Sequence, residues 1–267
     1  MLETPHRELN WTPFYALVLR EIRRFLKVAT QTVVMPVVNS SLYLLIFGVS
    51  LGQRLSVQTE ISYLAFLIPG LVMMAALNNA LMNSSSSIII AKFSGELEDL
   101  RVAPLSPENI LWAMAIGGLF RGYVVGGITF LVGLAFYRFY DEQWLVISHP
   151  FVLVYFLSAG CLAFGKIGIA VALWAKNFDH VSAVTAFIVM PLLYLGGVFY
   201  SIESLSPFWR SVSQYNPLLY MINGVRYGVL GVSDVSVVTA ALVTLGALVL
   251  SHFLARFSLR TGSYQRW

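Results

Sequence analysis

Apolar residues gather into six stretches, and polar residues are confined almost wholly to the segments that join them. A bilayer core about 30 Å thick needs about 20 helical residues to cross it. The pattern predicts spans at 33–51, 61–83, 110–137, 151–174, 181–200 and 235–254, hence an all-α integral membrane protein, with residues 1–267 forming one transmembrane domain. Before the first span, residues 12–30 read as an amphipathic helix. Thr12 is placed to cap it and Pro13 to start its first turn. Phe14, Val18, Ile22, Phe25 and Ala29 share one side, with Arg20, Arg23, Arg24 and Lys27 on the other, which suits a helix lying on a surface of anionic membrane lipid. Pro36 is expected to bend the start of the first span.

Two of the connecting segments carry helical signals of their own. In 94–104, Ser94 can cap a short helix, Glu96, Glu98 and Asp99 sit where the helix dipole favours acids, and Pro104 ends it. Phe93, Leu97 and Leu100 fall at i, i+4 and i+7 and would give that helix one apolar edge. Ser106 and Pro107 then start the next helix. In 206–230, Ser206-Pro207 and Asn216-Pro217 each open a helix too short to cross, so a re-entrant or interfacial hairpin facing outward is expected.

Polar positions inside the spans are few enough to take singly. The second span is expected to break at Pro69-Gly70, and its far end carries Asn78, Asn79, Asn83 and Ser84 to Ser87, which either line a passage or bond to neighbouring helices. Gly118, Gly122 and Gly126 recur at four-residue spacing, which favours close helix packing over chemistry. Arg121 lies among them. A charge at that depth is costly unless paired or hydrated, which makes it a functional candidate with Glu21 and Glu108 as candidate partners and snorkelling as the plainer account. Gly160, Gly165 and Lys166 fit the spacing of a phosphate-binding loop, but Ile167 replaces the required Ser or Thr and the segment is a membrane helix, so nucleotide binding is rejected. Lys166 is expected to snorkel toward the side where Lys176 emerges, with a water-lined path as the sharper alternative.

Composition agrees with the pattern. Of 267 residues 58% are apolar and 11% charged, against about 25% charged in soluble domains. The single Cys161 makes no intramolecular disulfide, and the four histidines share no ligand spacing, so no metal site is expected. No nucleophile motif or paired-carboxylate signature appears, which points away from an enzyme, and no basic stripe suggests nucleic acid. The net charge of +4 matters through its placement. Arg7, Arg20, Arg23, Arg24, Lys27, Lys92, Arg101, Lys176, Arg256, Arg260 and Arg266 fall on one side, against Arg54, Arg138, Arg210 and Arg226 on the other, which predicts cytoplasmic termini.

The loop F-S-G-E-L-E-D-L-R-V-A-P-L-S-P from Phe93, the basic leading helix, P-L-L-Y-L-G-G-V-F-Y at Pro191 to Tyr200 and S-Q-Y-N-P-L-L-Y-M-I-N-G-V-R-Y-G-V-L-G at Ser213 to Gly231 together resemble ABC-2 type transporter permeases, in particular the YadH-like type of bacterial inner-membrane permease. The resemblance covers nearly the whole chain. It implies a six-span half-transporter, an exporter that dimerises and engages two copies of a separate cytosolic ATP-binding cassette ATPase. ATP and magnesium would be held by that partner, with no cofactor in this chain. It makes 94–104 a coupling helix acting through Phe93, Glu96, Leu97, Glu98, Asp99, Leu100 and Arg101, with 12–30 as the interface helix beside it. Asn78, Asn79, Asn83 and Arg121 become candidates for the substrate path, and Phe208, Trp209, Tyr215 and Tyr220 for an outward gate. An amphiphile, a lipid-linked sugar and a hydrophobic drug all suit such residues as cargo. Two rivals remain: a secondary transporter, which should show paired discontinuous helices, and a lipid-modifying membrane enzyme, which should show clustered His, Asp or Glu at one interface.

Overall fold

The computed structural model describes residues 11–51, 61–97 and 105–262, which are helical with no strand among them. The helices are α1 (Thr12–Leu26), α2 (Ala29–Tyr43, continued by a wider-wound Leu44–Leu51), α3 (Tyr63–Ser94), α4 (Pro107–Tyr140), α5 (Pro150–Trp174), α6 (Phe178–Leu195), α7 (Pro207–Gln214), α8 (Pro217–Leu230) and α9 (Val237–Thr261). Among the described residues six stretches are long and apolar enough to cross a membrane: Thr32–Ser50 and the helices α3, α4, α5, α6 and α9. The protein is therefore multi-pass.

Several boundaries differ from the sequence expectation, each for a local reason. The leading helix ends at Leu26, because Val28 leaves helical geometry before α2 begins at Ala29. Its cap position is Trp11, and Thr12 is already helical. The second span does not break at Pro69-Gly70; α3 runs unbroken for 32 residues, about 48 Å, so its Asn- and Ser-rich stretch is mid-helix and not an end. The fifth span ends at Leu195, before the turn containing Gly197 at φ +80°, and not at Tyr200. α9 continues to Thr261, past the predicted Leu254. Ser106 caps α4 as expected, its hydroxyl accepting the Asn109 N–H at 3.1 Å.

α3 is the axis of the bundle, buried along most of its length and flanked by α4 and α5. In a bilayer helices gain little from hiding apolar surface, so close packing and interhelical hydrogen bonds must hold them. The glycine stripe on α4 serves that end: a Cβ at Gly118 would stand 2.9 Å from the Ala80 carbonyl oxygen, and one at Gly122 would strike the Cys161 sulfur. Ser84 Oγ donates to the Met114 carbonyl at 3.2 Å and Ser85 Oγ to the Leu81 and Gly168 carbonyls at 2.7 and 3.2 Å.

One end of the bundle gathers α1, the last turns of α3, α5 and α9, and the start of α4. The other gathers the starts of α3 and α5 with α8, where Ser62 bonds Asp141 and the Ser148 and His149 N–H groups donate to the Val229 and Gly228 carbonyls.

Candidate functional site

At the first of these ends the chain builds an ionic hub on a residue the sequence reading had placed as a partner for Arg121. Glu21 is fully buried. It accepts from Arg20 at 3.1 Å, from Arg24 Nε at 3.3 Å and from Ser87 Oγ at 2.8 Å. Arg24 extends to Ser86 Oγ at 2.9 Å and the Asn83 carbonyl at 2.6 Å, both on α3. A buried carboxylate is tolerable only when paired and hydrogen-bonded, and the adjacent Arg20 with Arg24 one turn on meets that demand. Arg20 and Arg24 are thus turned inward by Glu21, and Arg24 bonds directly to α3. Arg23 and Lys27 stay exposed. All four line a groove of about 480 Å³ between α1 and the end of α3.

The segment after α3 is tied to this hub. Arg20 reaches Glu96 at 3.5 Å. Ser94 is the last residue of α3, and its Oγ also accepts the Glu96 N–H at 3.5 Å where the chain turns helical again at Glu96 and Leu97; Gly95 lies between at φ +81°, its N–H donating to the Lys92 carbonyl at 3.4 Å. That left-handed residue separates Phe93 from Leu97, so the two do not form one apolar edge. Phe93 is exposed, whereas Leu97 is 2% exposed and packs into the chain's own core, where it anchors the segment and is not offered to a partner. Glu98, Asp99, Leu100 and Arg101, with the rest of the predicted helix 94–104, lie outside the described residues. Just before the turn, Lys92 Nζ donates to the carbonyls of Ala172, Leu173 and Ala175 at 2.8, 2.7 and 3.2 Å, closing the C-terminus of α5 with a cation.

Further along the bundle, α2, α3, α4 and α6 line a half-open cavity of about 260 Å³ that brings Arg121 together with Asn78 and Asn79. Asn83 is not in it and faces α1 and Gly117 instead. Glu21 and Glu108 do not pair with Arg121: the first serves Arg20 and Arg24, and the second binds His252 at 3.1 Å and Arg256 at 3.0 Å. Arg121 has no hydrogen bond or ion pair among the described residues, and its Nε is buried. Lys166 does not snorkel. It is 1% exposed and its ammonium sits 3.3 Å from the centre of the Trp112 ring, a cation–π contact between α5 and α4.

At the opposite end α7 and α8 form two short helices where the hairpin was expected. Arg226, counted from sequence among the outer cations, is 1% exposed. It donates to the Gly197 carbonyl at 2.7 Å and to Asn223 Oδ1 at 3.2 Å, lies 4.0 Å from Asp234, and covers the Phe66 ring at 3.8 Å. Asp234 in turn accepts the Ile202 N–H at 3.0 Å. Asn216 caps α8 and its amide donates to the Leu192 carbonyl at 2.6 Å. Phe208, Trp209 and Tyr215 are exposed, and half-buried Tyr220 donates its hydroxyl to the Gln214 carbonyl at 3.0 Å.

Residues 12–230 match the family model described as ABC-2 type transporter. The chain belongs to the ABC-2 type transporter family. The permease is 39% identical over 251 residues to the inner membrane transport permease YadH of Escherichia coli strain K12, covering 94% of this chain and 93% of that one. It is 25% identical to Nodulation protein J of Neorhizobium galegae, over 96% of this chain and 95% of that one. It is 26% identical to the putative transport permease ycf38 of Cyanophora paradoxa, over 73% of this chain and 67% of that one. The YadH-type likeness read from the loop and hairpin motifs is therefore sound.

Proposed function

We propose that the permease is the membrane subunit of an ATP-binding cassette exporter in a bacterial inner membrane. Two copies pair with two cytosolic ATPases, which hold ATP and magnesium, and together move an amphiphilic, lipid-linked or drug-like molecule outward. The permease performs no bond chemistry of its own. Both termini and the segment after Ser94 face the cytosol, and α7 and α8 form the outward re-entrant hairpin, whose Phe208, Trp209, Tyr215 and Tyr220 serve as the gate.

The observation that carries this reading is the hub on Glu21. A partner pressing on the segment at Glu96 acts on Arg20, through Glu21 on Arg24 and Ser87, and so on the central helix α3. A chain of short charge-assisted bonds in a packed environment moves as a body, where a floppy loop would absorb the displacement. Phe93, Glu96 and the stretch Glu98 to Arg101 supply the docking face, with Arg23 and Lys27 beside them, and Leu97 holds that face to the bundle.

The test is stimulation of the co-expressed ATPase in nanodiscs. Glu21→Ala, which strands two arginines, is expected to abolish stimulation or lower it by at least about tenfold, whereas Glu96→Ala should give a few-fold loss with the protein still monodisperse. Stimulation unchanged in both variants removes the coupling role. The cluster of His252, Glu108 and Arg256 favours a proton-driven carrier; transport that proceeds without ATP hydrolysis would decide for it.

A further inference from the structure

The unpaired arginine and its cavity extend the proposed function to a substrate class, and the inference rests on that function. Arg121 follows Pro107 by fourteen residues, about 21 Å along a helix of about 51 Å, so it lies far from either end of α4. A cation so placed normally faces an acid, yet among the described residues no Asp or Glu lines this cavity. The charge that acts on Arg121 from nearby is a second cation, Arg24, already committed to Glu21. Around it the cavity sets amides from Asn39, Asn78 and Asn79, and Asn78 Oδ1 is itself buried without a partner. Four of the remaining lining side chains, Met35, Met74, Met82 and Met190, are flexible thioethers, which adapt to apolar tails of varied shape.

The geometry points to a site for the anionic headgroup, phosphate or carboxylate, of the amphiphile this permease transports, with Arg121 as the residue that selects the charge. The guanidinium fork matches either oxyanion in two-point fashion, and the asparagine amides can bond neighbouring hydroxyl or carbonyl groups. A resident lipid would hold its phosphate there through turnover, whereas a molecule in passage would carry its anion away.

The experiment uses phosphatidylcholine nanodiscs doped with phosphatidylglycerol as the probe, and counts lipid retained by the permease in native mass spectrometry after detergent release. Wild type is expected to retain phosphatidylglycerol over phosphatidylcholine. Arg121→Gln should lose that preference by about tenfold, while Arg121→Lys, which keeps the charge, should retain most of it. Equal retention by wild type and Arg121→Gln overturns the site, and so does a loss that is the same for both lipids. A second arm adds the ATPase and ATP. Depletion of the bound anion on turnover supports cargo, and retention through turnover identifies a structural lipid and overturns the assignment. Absence of any ATPase stimulation by wild type would instead count against the ATP-driven reading, and leaves the binding arm to stand or fall alone.

Discussion

Arg226 and Arg121 are two arginines in one apolar bundle, and the chain treats them in opposite ways. Arg226 has a carbonyl, an amide oxygen, a carboxylate and an aromatic face around it, while Arg121 has a cavity. A buried charge whose valences are filled from within holds parts together. One whose valences are left open keeps a place for something else, at a standing cost in stability.

The contrast can be broken at three points. The largest effect is expected from Arg226→Met, which leaves Asp234 and the Gly197 carbonyl without their cation. A loss of about 3–5 kcal/mol, read as a drop in the melting temperature of the detergent-solubilised protein, is expected, with α7 and α8 becoming sensitive to protease first. An intermediate effect comes from the packing of α5 on α3: Gly168→Val drives a side chain into the Leu81 carbonyl and Ser85 Oγ and should cost about 1–3 kcal/mol in the same assay. The smallest belongs to Arg121→Met. Nothing is stranded when this cation goes, so the melting temperature should hold steady or rise, with a change under about 1 kcal/mol. A destabilisation by Arg121→Met as large as that of Arg226→Met would erase the distinction.

How far the sequence could be read follows from where the answers to its charges lie. Six spans were legible because each apolar run is long enough to be unmistakable, and the caps at Ser106 and Asn216 were legible because capping is a local matter. The second span was set too short, at Asn83, because its Asn and Ser run was taken for an end, and the sixth was stopped at Leu254, just before Arg256. Lys92 stays inside α3 because three carbonyls of α5 receive it, and α9 carries His252 and Arg256 because Glu108 of α4 meets them. Both partners are distant in sequence. Lys166 was misplaced for the same reason, since Trp112 sits on another helix. The inward turn of Arg20 and Arg24 left a fainter trace: Glu21 interrupts the basic side of α1 at the spacing that pairs it with Arg24. Asn223 and Arg226, three residues apart in the hairpin motif, left a similar one.

The lysine that closes α5 has a mechanical meaning. Because the ammonium of Lys92 is pinned to the last turn of α5 only three residues before Gly95, the foot of the central helix cannot fray when something shoves on the chain beyond it. α3 and α5 are doweled at that foot, so a twist given to one is handed to the other.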